Sequence, residues 1–175
     1  MKWMLAVVSL ALASGCAGPY KPDLNGKPVA RLRVLALGPY DVDAGVLETD
    51  CEPRTRGGWE ANFQKMATVP ARGKVPPVRE TLGMPASPPA DLSYVERQIP
   101  AGVPLSLAFV GSRGGATCSF TRELVAREGA EYEAVLGVGY TPGICTLSIH
   151  GLAPVGSGSR IVPLPVDTAR PLRRC

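Results

Sequence analysis

Apolar and polar residues alternate along Val29–Leu37 (VARLRVLAL), where Arg31 and Arg33 fall between Ala30, Leu32, Val34 and Ala36. A two-residue period is that of a half-buried strand, so this stretch predicts the first strand of the chain. Gly38 and Pro39 end it, and a second extended piece is expected around Val46–Cys51. The same signal returns at Ser93. Tyr94, Glu96 and Gln98 alternate with Val95, Arg97 and Ile99, and the turn Pro100–Pro104 leads into Leu105–Gly111. Gly114-Gly115 then turns the chain into Ala116–Thr121, with Cys118 and Phe120 on one face. Arg122–Arg127 reads as the approach to a turn, followed by strands at Glu131–Tyr140 and Ile144–Gly151. Arg160–Leu164 is expected at a sheet edge, because Pro163 lacks the N–H that a central strand needs.

Between these patterned segments, residues 52–92 are broken by Pro and Gly so often that one long irregular loop is expected there. Within it, Trp59–Thr68 is either a short strand or a helical turn, with the Trp and Phe as core anchors. The chain has 175 residues, enough for one ordinary domain, and its 20 Gly and 18 Pro argue against a helical bundle. Short strands joined by Gly/Pro turns predict an all-β fold: an antiparallel β-sandwich, immunoglobulin-like or a partly open barrel, over residues 29–175. The formal charge of +4 is small and dispersed, so nucleic acid is not an expected partner.

The first fifteen residues differ from the rest. Lys2, an apolar run from Trp3 to Ala13, and small residues Ser14 and Gly15 lay out a secretory signal too short to span a bilayer. Leu12-Ala13-Ser14-Gly15-Cys16 resembles the lipobox of bacterial lipoproteins, with Ala13 standing where Leu is usual. The resemblance implies removal of residues 1–15, acylation of Cys16 and attachment to a membrane. Ala17, in place of an acid, implies the outer membrane of a Gram-negative cell. Residues 16–28, with three Pro and two Gly, are expected to form a flexible spacer. Further along, Ile99-Pro100-Ala101-Gly102, the run Val125–Tyr132 and the later Cys145 resemble uncharacterised proteobacterial lipoproteins with a small β-sandwich domain, over roughly residues 93–150. That resemblance implies a fold and carries no active site.

Cysteine parity agrees with lipidation. Setting Cys16 aside leaves Cys51, Cys118, Cys145 and Cys175, an even set suited to an oxidising compartment. Cys118 and Cys145 lie on the apolar faces of predicted strands and are expected to pair, which leaves Cys51 for Cys175; four cysteines allow three connectivities. Zinc is disfavoured, since no C-x-x-C spacing occurs and there is one histidine.

Chemistry-bearing residues are sparse. His150 falls opposite in parity to Leu147 and Ile149 and reads as solvent-facing. Glu131 with Glu133, and Asp41 with Asp43, place two carboxylates on one strand face, a pattern that solvated sheets share with glycosidases. No nucleophile elbow, nucleotide-binding glycine loop or calcium loop is present, so no cofactor is implied. Arg170, Arg173 and Arg174 read as a solvated basic tail. The expected function is that of a non-catalytic binding or scaffolding module on the cell envelope, with a protein or glycan partner. The alternative is an inhibitor or immunity protein that acts through the loop at 52–92; an unrecognised hydrolase built around His150 is the third reading.

Overall fold

The computed structural model describes residues 20–55, 59, 61–73, 76–85, 87–138, 145–154, 161–165 and 170–175. The signal segment and Cys16 lie outside the described residues. Ten strands occur among those described: β1 (Val29–Leu37), β2 (Asp41–Leu47), β3 (Phe63–Val69), β4 (Arg79–Glu80), β5 (Tyr94–Pro100), β6 (Pro104–Arg113), β7 (Ala116–Val125), β8 (Glu131–Val138), β9 (Cys145–Pro154) and β10 (Ile161–Pro165). They form a six-stranded sheet in the order β10-β9-β8-β1-β5-β4 and a four-stranded sheet in the order β3-β2-β6-β7. The two sheets face each other as a sandwich.

The core lies between them and follows the alternation. Ala30, Leu32, Val34 and Ala36 of β1, and Tyr132, Ala134 and Leu136 of β8, meet Val42, Ala44, Leu107, Phe109 and Leu124 of the opposite sheet. Most neighbouring strands are antiparallel, but β1 runs parallel to β8 and β4 runs parallel to β5, so the larger sheet is mixed. The β6–β7 hairpin turns at Gly114 (φ 53°) and Gly115 (φ 85°), two consecutive positive angles that suit a tight turn matched to strand twist. Cys118 on β7 and Cys145 on β9 are joined across the two sheets with Cα atoms 6.2 Å apart, and Cys51 is joined to Cys175 at 5.2 Å.

Four boundaries differ from the sequence reading. The second strand occupies Asp41–Leu47 and not Val46–Cys51, because Val42, Ala44 and Val46 turn inward while Asp41 and Asp43 make its other face look like a loop. The stretch 52–92 holds β3, which pairs with β2, and the two-residue β4. Trp59 and residues 61–62 are helical and lead directly into β3, so both readings of that segment hold in succession. The β7 strand runs on to Val125, since Leu124 points into the core and is fully buried. Pro163 does sit in the edge strand β10.

The spacer is also shorter than expected. Tyr20 packs against the core, and its N–H donates to the Lys65 carbonyl at 2.8 Å, so the chain touches the body at residue 20, while most of residues 21–28 are exposed. An aromatic ring beside an apolar sheet edge gains more from burial than a Pro/Gly segment gains from freedom.

Candidate functional site

Each sheet has one face in the core and one face turned outward, and the two outward faces are built differently. On the six-stranded sheet, register aligns Glu96 of β5, Arg33 of β1, Glu133 of β8 and His150 of β9 in one row. The segment 81–85 lies over one end of this row. Arg33 and Glu96, each only 1% exposed, form a bidentate pair: Arg33 Nε and Nη2 donate to Glu96 Oε1 at 2.9 and 2.8 Å. Arg33 also donates to the carbonyls of Met84 and Pro85 and to Glu133, and its guanidinium lies 5.4 Å from the Tyr94 ring centre. Glu96 Oε2 accepts from the Thr81 hydroxyl and from the N–H groups of Leu82 and Met84.

Burial alone would push the Glu96 carboxyl up, but the Met84 N–H, the Arg33 guanidinium, the Leu82 N–H and the Thr81 hydroxyl together hold it below the ordinary carboxylate value. The pair is a clamp: its charges are satisfied, and it straps segment 81–85 onto the sheet. Beside it, Leu35, Tyr94 and Leu92 form a small apolar cluster with Val135 that fastens the end of the same segment.

The outward face of the four-stranded sheet carries a groove of about 920 Å³. Its floor is the sheet itself, with Asp43 of β2, Val110 of β6, and Thr117 and Ser119 of β7. One wall holds Trp59 and Phe63, whose ring centres are 6.3 Å apart at an interplanar angle of 36°. Glu52, Arg54 and Arg174 form a charged rim. A register shift between Ala44 and Gly45 helps to seat the Phe63 ring. A Cβ on Gly45 would run into the Gln64 carbonyl oxygen and lie 2.6 Å from that ring, so glycine is what lets β3 and its aromatic lie this close to β2.

The rim is fixed from the far end of the chain. Beside the Cys51–Cys175 bond, Glu52 N–H donates to the Arg173 carbonyl at 2.8 Å and Cys175 N–H to the Glu52 carbonyl at 3.0 Å. Leu172 is buried with Leu47 and Ala108, against which Trp59 and Phe63 pack. The tail is therefore docked and not free in solvent. Arg170 and Arg173 keep exposed heads, but they pair with Glu123 at 3.1 Å and Asp50 at 2.6 Å. Trp59 and Phe63 are half-buried members of this outer cluster, not anchors of the central core, because the helical turn leaves them outside β2 and β6.

Other residues singled out from sequence are placed as follows. Glu131 and Glu133 do share a face, but each is ion-paired, with Arg31 and Arg33 respectively. Asp41 accepts from the Ala71 N–H at 2.8 Å, while Asp43 pairs with Lys65 and accepts from the Thr68 hydroxyl through the same oxygen, Oδ1. His150 is half-exposed on β9, opposite Glu133. Among the described residues no group of three His, Cys, Asp or Glu is arranged to hold a metal ion, and no helix among them is long and apolar enough to cross a membrane. The groove floor went unnoticed in the sequence: Thr117 and Ser119 read as the solvated half of a strand, and nothing local shows that residues 52–55, Trp59 and Arg174 line the space above them. No protein-family model matches this chain, and no curated protein matches it in sequence.

Proposed function

We propose that the protein is a lipid-anchored cell-envelope module, held in the outer membrane of a Gram-negative bacterium through acylated Cys16, that works by binding rather than by catalysis. Cysteine accounting carries this reading: the two disulfides use all four cysteines after residue 16, so Cys16 is left without a partner for a bridge. A signal-like segment ends immediately before it. Three residues separate Cys16 from the docked Tyr20, and four residue steps of extended chain reach at most about 14 Å. An acylated Cys16 therefore keeps the body close to the headgroups, with the β3 edge nearest the anchor. Intact mass of the membrane-extracted protein is the test. The expected result is a processed chain carrying acyl groups and two reducible bridges, with Cys16→Ser released from the membrane fraction; an unmodified Cys16 in the native protein overturns it.

The binding part of the reading rests on the contrast between the outward faces. One is strapped at its Arg33–Glu96 end by segment 81–85, and the other opens into an aromatic-walled groove of a size typical of ligand sites. The inhibitor or immunity reading draws on the same groove, since Pro53, Arg54 and Trp59 of its wall belong to the stretch 52–92. A double substitution of Arg54 and Trp59 would then abolish protection against a cognate toxin while leaving the protein folded and anchored.

A further inference from the structure

The geometry points to a short, uncharged or charge-balanced oligosaccharide as the occupant of this groove, an inference that rests on the binding-module reading and names its ligand class. The aromatic wall and the polar floor impose different demands, and a sugar chain meets both. Trp59 and Phe63 present tilted, half-exposed rings, which suit the flat C–H faces of pyranose rings. Opposite them, the Thr117 and Ser119 hydroxyls are exposed two positions apart on β7, so both point into the groove and can donate or accept. Asp43 adds an acceptor and Arg174 a planar donor set.

Rival occupants fit less well. A partner strand would add in the plane of the sheet along the outer edge of β7 and not across the face that forms the groove floor, where β2 and β6 are each paired on both sides. An amphipathic helix needs a continuous apolar trough, and here hydroxyls and a carboxylate interrupt it. A strongly acidic polymer needs a cationic track, whereas the lining carries Asp43 and Glu52 against Arg54 and Arg174 and is formally neutral. A neutral polyol that is apolar on its ring faces and polar at its edges is the ligand these features share.

The test exploits composition. The chain has two tryptophans, Trp3 in the signal segment and Trp59 in the groove wall, so the processed protein reports on the groove alone. The membrane-extracted, detergent-solubilised protein is titrated with a β-linked N-acetylglucosamine tetrasaccharide, neutral glucan and galactan oligosaccharides, and an acidic heparin-type oligosaccharide. Saturable change of Trp59 emission with at least one neutral sugar, little affected by salt, supports the inference. Trp59→Ala removes the reporter, so its affinity is read by titration calorimetry against the parent, where it should be weaker by about tenfold or more. Ser119→Leu, an exposed position that fills the floor without touching the core, should weaken it with unchanged thermal unfolding. Response only to the acidic oligosaccharide, with strong salt dependence, overturns it, as does no response to any sugar at millimolar concentration. A photo-crosslinker at Thr117 in intact cells separates the two levels. Capture of a protein in place of glycan overturns the sugar assignment and leaves the binding module standing, whereas no crosslink and no sugar response defeat both.

Discussion

The outward faces of the two sheets make an instructive pair. On the larger sheet, segment 81–85 closes over Arg33 and Glu96 and leaves both essentially without solvent contact. On the smaller one, residues 51–55, Trp59, Phe63 and the disulfide-held tail stand beside the sheet without covering it, leaving Thr117 and Ser119 exposed at the bottom of a groove. Both coverings come from the Pro- and Gly-rich stretch 52–92, aided in one case by the last six residues. The difference lies in what each covering meets. A buried, fully bonded ion pair draws its strap down, while a helical turn with two aromatics stands off a polar floor. Charges locked in place serve structure; polar groups left in reach of solvent are available to a ligand.

Substitutions should divide along the same line. The largest effect is expected at the sealed face: Glu96→Gln or Arg33→Met strands a buried partner and should lower unfolding free energy by about 3–5 kcal/mol in urea titrations. The double variant Arg33→Met/Glu96→Leu should recover only the part of that loss that comes from an isolated buried charge, because the Glu133 carboxylate, the Met84 and Pro85 carbonyls and the Leu82 and Met84 N–H groups still lose their partners. If each single variant unfolds like the parent, the clamp is not what holds segment 81–85.

Breaking the Cys51–Cys175 bond by a double Ser substitution comes next. It opens a link spanning 124 residues, and the expected destabilisation is on the order of 2–4 kcal/mol, with loss of groove binding. The equivalent change at Cys118 and Cys145, with a separation of 27, should reduce stability by a similar or smaller amount; Cys118 sits between the floor residues Thr117 and Ser119 but packs against the core side of β7, so the rim stays in place and binding should weaken less than on loss of Cys51–Cys175. Gly45→Ala should come lower, at about 1–3 kcal/mol, as the new methyl meets the Gln64 carbonyl and the Phe63 ring and forces β3 and the groove wall to shift.

Acid provides a second probe of the strapped face. Because the folded-state pKa of Glu96 is depressed, its stabilisation is fully present above the unfolded-state value of about 4.3 and is lost as pH falls through the folded value. The parent should therefore lose stability steeply below about pH 4, and Glu96→Gln should show a flatter acid limb. Parallel limbs would assign the acid sensitivity to other carboxylates. The smallest stability effect is expected on the open face, where Ser119→Leu should stay within about 0.5 kcal/mol of the parent while binding falls.

Particular residues show how far the reading of sequence reached. The strands with one clean alternating face, β1, β6 and β8, were legible because a two-residue period survives any tertiary arrangement. Both disulfides were legible too, since Cys118 and Cys145 fall on inward positions and two thiols remain for each other. Asp41–Leu47 was not, because two acids on its outer positions imitate a loop. Arg33 and Glu96 stood at polar positions of their strands, and local pattern cannot distinguish a polar residue facing water from one facing a strap that arrives from sequence positions 81–85.

What the chain's own order of residues determined is its two-layer β character, its turns and the inward placement of Cys118 and Cys145, all of which depend on near neighbours or on the parity of side-chain direction along a strand. What only the tertiary structure decided is which outward face would be closed and which would stay open. That outcome depends on contacts between residues 51, 59, 117 and 175, or between 33, 84 and 96. These contacts join segments far apart in sequence, and no period or spacing along the chain encodes the meeting of a loop with a distant sheet face.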